Sequence, residues 1–154
     1  MKSIVLRHIA MILLIWACAP AFPQSPGLIP RPDSIEWLQD SAAWRDIVFL
    51  PNELWTEATD LVHMHFPQLG IQKEGKIQLV VQKSALLSKE AYQIEFAHEN
   101  VILTAATNLG VNHGLQTLKQ LTKIYNAIPY LIKANIRDEP RFGYRGLHLD
   151  TGRH

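Results

Sequence analysis

Cysteine is almost absent from this chain: Cys18 is the only one in 154 residues. That excludes an intramolecular disulfide framework and any C-x-x-C redox or zinc motif. Clusters of basic residues are lacking too. Fifteen Lys and Arg face fourteen Asp and Glu, a net charge of +1 with neutral histidines, and no basic-aromatic stripe runs through them. Such a balance leaves no electrostatic footprint for nucleic acid or for an anionic membrane surface. H-E-x-x-H, G-x-S-x-G and glycine-rich phosphate-cradling patterns are also missing, so the chemistries they serve have no local signature. No metal and no cofactor is expected. There is no internal repeat or low-complexity tract. At 47% hydrophobic and 19% charged, the composition is globular rather than disordered or fibrous.

One long apolar run is present, at the start. In "MKSIVLRHIAMILLIWACAPA", Lys2 and Arg7 precede the run Ile9 to Ala17, and Ala19-Pro20-Ala21 follows as a small-x-small cleavage pattern. Residues 1–21 therefore read as a secretory signal, too short to span a bilayer as a helix. Two outcomes stay open. Cleavage after Ala21 leaves a mature chain without a thiol, with 13 basic against 14 acidic residues once Lys2 and Arg7 are gone. Lipidation at Cys18 would instead make an outer-membrane lipoprotein, against which stands the bulky Trp16 two residues before it. The expected location is periplasmic or extracellular, with no membrane contact unless Cys18 is lipidated. Residues 22–33, "FPQSPGLIPRPD", hold four of the nine prolines and read as an extended linker.

Residues 34–137 alternate between the two periods of regular structure. Ile47 to Leu50 suits a short strand. A helix starting at Pro51 would carry Leu54, Ala58, Leu61, Val62 and His65 on its apolar face, and Pro67 and Gly70 would stop it. Ile77, Leu79 and Val81 share one face of a strand. Tyr92, Ile94 and Phe96, a turn at His98-Glu99-Asn100, and then Val101, Leu103 and Ala105 describe a hairpin. Asn108 is placed to cap a second helix with the stripe Val111, Leu115, Leu118, Leu121 and Tyr125, Gly114 permitting close approach to the sheet. Tyr130, Ile132, Ala134 and Ile136 alternate once more. The order strand-helix-strand-strand-strand-helix implies an α+β fold, a small antiparallel or mixed sheet with two helices on one face.

The chain then turns a corner at "RDEPRF", because Pro140 disfavours helical geometry at Glu139. "RGLHLD", Arg145 to Asp150, has little alternation, which suits a strand covered on both faces. Residues 138–154 thus look like the opening of a second architecture, cut off after one strand. These segments carry a resemblance. "GVNHGLQTLKQL" and "IRDEPRFGYRGLHLDTGRH" together resemble the family 20 glycoside hydrolases, the β-N-acetylhexosaminidases. The matching residues are Gly110, Gly114, Leu115, Gln116, Thr117 and Leu118, then Ile136, Asp138, Pro140, Arg141, Phe142, Tyr144, Arg145, Gly146, Leu147, Leu149, Asp150, Arg153 and His154. The departures are Asn112-His113, where aromatic residues are common, and Gly152, where serine or alanine is usual.

The resemblance implies an exported enzyme whose α+β domain packs on a catalytic (β/α)8 barrel, with residues 138–154 as the truncated first strand of that barrel. It implies retaining, substrate-assisted hydrolysis of terminal non-reducing N-acetylhexosamine residues, with an Asp-Glu catalytic pair on a later barrel strand. No residue here matches that pair, so no catalytic residue is assigned in this chain and the fragment alone is expected to be inactive. Arg153, just past the end of the first strand where barrel sites lie, is implied to bind sugar hydroxyls. Its guanidinium fork matches vicinal hydroxyl acceptors in a way that lysine would not. Asp150 and His154 would orient it or pack below it. Asp138-Glu139 reads as structural, since neighbours on an extended chain point opposite ways. His63 and His65, two apart on a helix, do not face each other, and His65 reads as a core histidine. Trp37, Trp44 and Trp55 read as core rather than as a sugar-stacking platform. The alternative is a stand-alone, non-catalytic accessory or carbohydrate-binding α+β module.

Overall fold

The computed structural model describes residues 27–67, 69 and 76–142. The expected signal segment, Cys18, and the expected barrel strand with Asp150, Arg153 and His154 lie outside the described residues. Within them, seven strands form one mixed sheet in the order β1-β7-β4-β5-β3-β2, with β6 paired to β7. The strands are β1 (Ser34–Ala43), β2 (Ile47–Leu50), β3 (Ile77–Lys83), β4 (Tyr92–Ala97), β5 (Asn100–Ala105), β6 (Thr122–Tyr125) and β7 (Ile128–Asp138). Helix α1 (Thr56–His65) lies between β2 and β3, and α2 (Asn108–Gln120) between β5 and β6. The pairs β2–β3 and β3–β5 are parallel; the others are antiparallel. The α+β reading holds, with a larger sheet than the sequence pattern shows.

Cross-strand register separates the two faces. Leu79 stands opposite Val101 and Val101 opposite Phe96, while Val81, Leu103, Ile94 and Ile136 form the next row. Those rows share a single core with Ala58 and Val62 of α1 and Val111, Leu115 and Leu118 of α2. The intervening rungs, Gln82-Thr104-Gln93-Arg137 and Val80-Ile102-Glu95, are partly or fully exposed. Both helices therefore cover one face, and the other is mostly polar and wet, the usual division in a sheet packed on one side only.

Helix α1 starts later than Pro51. The Asn52 side chain accepts from the Leu54 amide, and the Trp55 amide donates to the Asn52 carbonyl. This Asx-type turn consumes the first residues and leaves Leu54 98% exposed rather than on the apolar face. Helix α2 is capped by Thr107, not Asn108. Thr107 is extended, at φ −138° and ψ 167°, and its Oγ1 accepts from the amides of Leu109 and Gly110. Asn108 is otherwise engaged, its Oδ1 accepting from Trp55 Nε1 at 2.7 Å.

Two elements are absent from the sequence reading. Strand β1 pairs β7 across a bulge in which the register passes from Trp37↔Ala134 to Ser41↔Ile132. Strand β6 takes up the end of the expected helical stripe, so Tyr125 is not on α2 but 70% exposed on a strand. Tyr125 pairs with Ile128 across Asn126 and Ala127, whose φ values are 48° and 62°, the backbone signature of a type I′ hairpin turn. The β4–β5 turn is likewise tighter than expected: Ala97 pairs with Asn100, which leaves His98 (φ 52°) and Glu99 as its two central residues.

Candidate functional site

The three tryptophans face inward. Trp44 is stacked on Phe66 at 4.7 Å and donates its Nε1–H to Thr122 Oγ1. Trp55 is buried, and Trp37 packs against the core. No sugar-stacking platform is built from them. His65 is buried on α1, with Nε2 2.8 Å from Asn112 Oδ1 on α2, while His63 lies edge-on to Phe49. The two histidines do not converge, and among the described residues no group of three or more His, Cys, Asp or Glu is arranged to hold a metal. Asn112, one of the two departures from the resembled pattern, thus has a local purpose: it supplies the buried imidazole with a partner on the neighbouring helix.

The polar side chains that do converge lie at the end of the sheet where the chain enters and leaves. A cleft of about 1090 Å³ opens there. Its walls come from residues 29–33, from Glu90 and Tyr92, from one side of α2, and from residues 138–142. The incoming segment is held closely. Leu28 is buried, and the Gln120 side chain makes two hydrogen bonds with Ile29, accepting from its amide at 2.9 Å and donating to its carbonyl at 3.0 Å.

The floor is a buried pair: Tyr92 Oη lies 2.6 Å from Thr117 Oγ1. Burial pushes the Tyr92 phenol above its ordinary value. The Thr117 hydroxyl opposes the rise, and the charge and hydrogen-bond acceptance of Asp138 add to it. Asp138 is also the backbone partner of Tyr92 in the last β4–β7 rung. Its Oδ1 accepts from the Asp33 amide at 3.3 Å. Arg141 Nε stands 3.7 Å from Asp33 Oδ1, an exposed pair worth little by itself. His113 Nε2 is 3.4 Å from Glu90 Oε2 on the opposite wall.

Sequence reasoning placed Asp138 and Glu139 on opposite sides of an extended chain. Both border the cleft, because β7 ends at Asp138 and the alternation ends with it. The involvement of Asp33, Glu90, Tyr92 and His113 was not read from the sequence. Asp138, Pro140, Arg141 and Phe142 had a signal there as members of the quoted "IRDEPRF" stretch, and Gln116 and Thr117 as members of "GVNHGLQTLKQL". Among the described residues the cleft presents carboxylates, amides and guanidinium groups, but no nucleophile-base pair of the kind covalent catalysis needs. Arg153, the expected sugar ligand, lies outside the described residues.

Two solved glycosidases share this fold. A family 20 exo-β-N-acetylglucosaminidase from Vibrio harveyi, solved in complex with N-acetylglucosamine, superposes with a TM-score of 0.63 at 24% identity, covering 82% of this chain and 21% of its own. Another family 20 β-N-acetylglucosaminidase gives 0.64 at 23% identity, covering 84% and 25%. At such identities the likeness shows the fold alone. Among sequences, a β-hexosaminidase of Vibrio furnissii is 29% identical over 138 residues, 83% of this chain and 22% of the relative. The α subunit of β-hexosaminidase from Bos taurus is 37% identical over 89 residues, 54% of this chain and 17% of the relative. The family model described as "Glycosyl hydrolase family 20, domain 2" matches residues 25–139. The chain belongs to glycosyl hydrolase family 20, of which it carries that second domain. It spans about a fifth of the length of these relatives.

Proposed function

We propose that this polypeptide is the N-terminal portion of an exported β-N-acetylhexosaminidase that removes terminal non-reducing N-acetylhexosamine residues from glycans. The observation that carries this reading is the family match across residues 25–139, supported by relatives that are themselves named β-hexosaminidases. The α+β domain packs on a catalytic barrel that begins after the corner at Pro140. In this proposal Arg153 grips hydroxyls of the terminal sugar through its planar fork of donors. The reaction retains configuration. The 2-acetamido carbonyl oxygen of the substrate attacks the anomeric carbon as a glutamic acid protonates the departing oxygen, and water then opens the oxazolinium from the face the leaving group vacated. The aspartate that orients the acetamido group and the glutamic acid belong to a later barrel strand. Residues 1–21 act as the export signal, and the enzyme works in the periplasm or outside the cell. With the tryptophans turned into or against the core, no specific observation favours a stand-alone carbohydrate-binding module.

The purified 154-residue chain is expected to release no chromophore from a chromogenic N-acetylglucosaminide, whereas a chain extended to the length of the relatives should do so. In that longer chain Arg153→Lys should raise KM by about 10-fold or more, the weight of one bidentate contact reduced to a point charge. Turnover by the 154-residue chain itself would overturn the assignment of chemistry to the downstream barrel. An inactive long chain would overturn the hydrolase reading.

A further inference from the structure

The segments by which the chain enters and leaves the α+β unit meet at one carboxylate. Asp138 is the last residue of β7, and its backbone is paired with Tyr92. Its side chain accepts from the Asp33 amide on the incoming segment at 3.3 Å, and it borders the same cleft as the Tyr92 phenol. Tyr92 in turn reaches Thr117 on α2, and Thr117 Oγ1 also lies 3.2 Å from the His113 carbonyl, one turn back on the same helix. Gln120 on that helix fixes Ile29, four residues before Asp33. The incoming segment is thus tied to helix α2 through Gln120 and to the end of β7 through Asp138, and β7 is tied to β4 and α2 through the Tyr92 rung and the Tyr92–Thr117 pair.

We propose that Asp138 is a positioning residue: its carboxylate clasps the incoming segment to the end of β7, beside the buried Tyr92–Thr117 pair, and so fixes the direction in which the chain leaves the sheet. This rests on the proposed function for its consequence, though not for its geometry. A peptide leaving a sheet after its last rung has two free dihedrals per residue. Only tethers near the exit can restrict them, and Arg153 lies fifteen residues beyond Asp138. The exposed Arg141–Asp33 pair adds direction but little energy; the backbone rung to Tyr92 is the firm side of the clasp. Near-attack geometry is sensitive to displacements of about 1 Å, so a loosened exit would be felt at a sugar site although it touches no sugar.

The test uses hydrogen exchange on the 154-residue chain and kinetics on the longer one. In Asp138→Ala, the Asp33 amide and its neighbours should exchange about 10-fold or more faster, while amides of β5 such as Val101 and Leu103 stay unchanged. Asp138→Asn keeps an acceptor oxygen and should restore protection. Tyr92→Phe, which keeps the Asp33 contact, should loosen the exit less than Asp138→Ala. In the extended chain, Asp138→Ala should lower kcat/KM about 10-fold, with Asp138→Asn recovering most of it. Unchanged exchange at Asp33, or an equal acceleration throughout β5, would overturn the clasp. Local loosening with wild-type kcat/KM would overturn its positioning role. If the wild-type extended chain hydrolyses nothing, the proposed function fails, and the exchange data still decide the clasp.

Discussion

At the scale of single residues, two glycines and one alanine are set by backbone geometry. A Cβ at Gly110 would sit 2.5 Å from the Ala91 carbonyl oxygen and 3.1 Å from Ala105 Cβ. A Cβ at Gly114 would meet Leu103 Cδ1 and Tyr92 Cδ2. Alanine normally gains up to about 1 kcal/mol over glycine inside a helix. Here the nearest atom to position 110 is fixed backbone, and overpacking costs about 1–3 kcal/mol. Gly110→Ala should therefore destabilise, against its propensity, with a lower urea midpoint at unchanged m. Ala127 presents the opposite case. It sits at φ 62° in a tight hairpin turn, a region that costs an L-residue about 1–2 kcal/mol. Ala127→Gly should stabilise by about 1 kcal/mol, read as a higher urea midpoint. Tyr92 sets an alkaline limit. Its phenol keeps its proton in the fold to a pH above the ordinary tyrosine value of 10.0, whereas the unfolded chain loses it there. The stability that Tyr92 contributes is present below pH 10 and falls as pH rises past it, by up to about 1.4 kcal/mol per pH unit. Urea melts between pH 9 and 11 should show that slope, and Tyr92→Phe should flatten it.

At the scale of elements, the sequence pattern succeeded where a single period ran unbroken and a polar partner did not intervene. Strands β3, β4 and β5 alternate cleanly, so their buried faces, Leu79 and Val81, Tyr92 and Ile94, Val101 and Leu103, were legible in advance. Local hydrogen bonds shifted the helix ends: the Asn52 turn displaced the α1 start, and the bond from Trp55 removed Asn108 from capping. Strand β1 was hidden because its bulge interrupts the two-residue period and because its sequence, SIEWLQDSAA, has charges on one face and small residues near its end. Those charges are matched across the sheet. Asn135 Nδ2 donates to Glu36, Lys133 Nζ reaches Asp40, and Asn135 Oδ1 accepts from the Phe96 amide where β4 and β7 diverge. The candidate site was half legible. Asp138, Arg141 and Thr117 belong to readable motifs, but Asp33 and Tyr92 join them only through a strand order that no local pattern encodes. The contact between the helices can be measured directly. His65 and Asn112 share a partly buried bond at 2.8 Å, so a double-mutant cycle with Ala at each should give a coupling of about 1 kcal/mol.

At the scale of the whole molecule, one continuous core joins every layer of the domain. It runs from Leu28 and Trp44 through Phe49, Val62 and Leu103 to Leu115, Leu131 and Ile136. A core shared in that way leaves no subset of elements able to keep its apolar surface buried alone, which is the condition for all-or-none unfolding in a unit of this size. A polypeptide of residues 27–142 should accordingly melt in one step, with coincident circular dichroism and tryptophan fluorescence transitions, because Trp37, Trp44 and Trp55 all belong to or pack on that core. The proline-rich lead-in sharpens the expectation. Leu28 is 7% exposed, and Ile29 is bonded twice to Gln120. Starting the chain at Ser34 instead deletes Leu28, whose burial is worth about 1.5–3 kcal/mol, and leaves the Gln120 amide to water. The shorter polypeptide should still melt in one step but at a lower denaturant midpoint. Two separated transitions in either polypeptide would show that the sheet and helices are held by distinct cores, and the fold would then need to be divided.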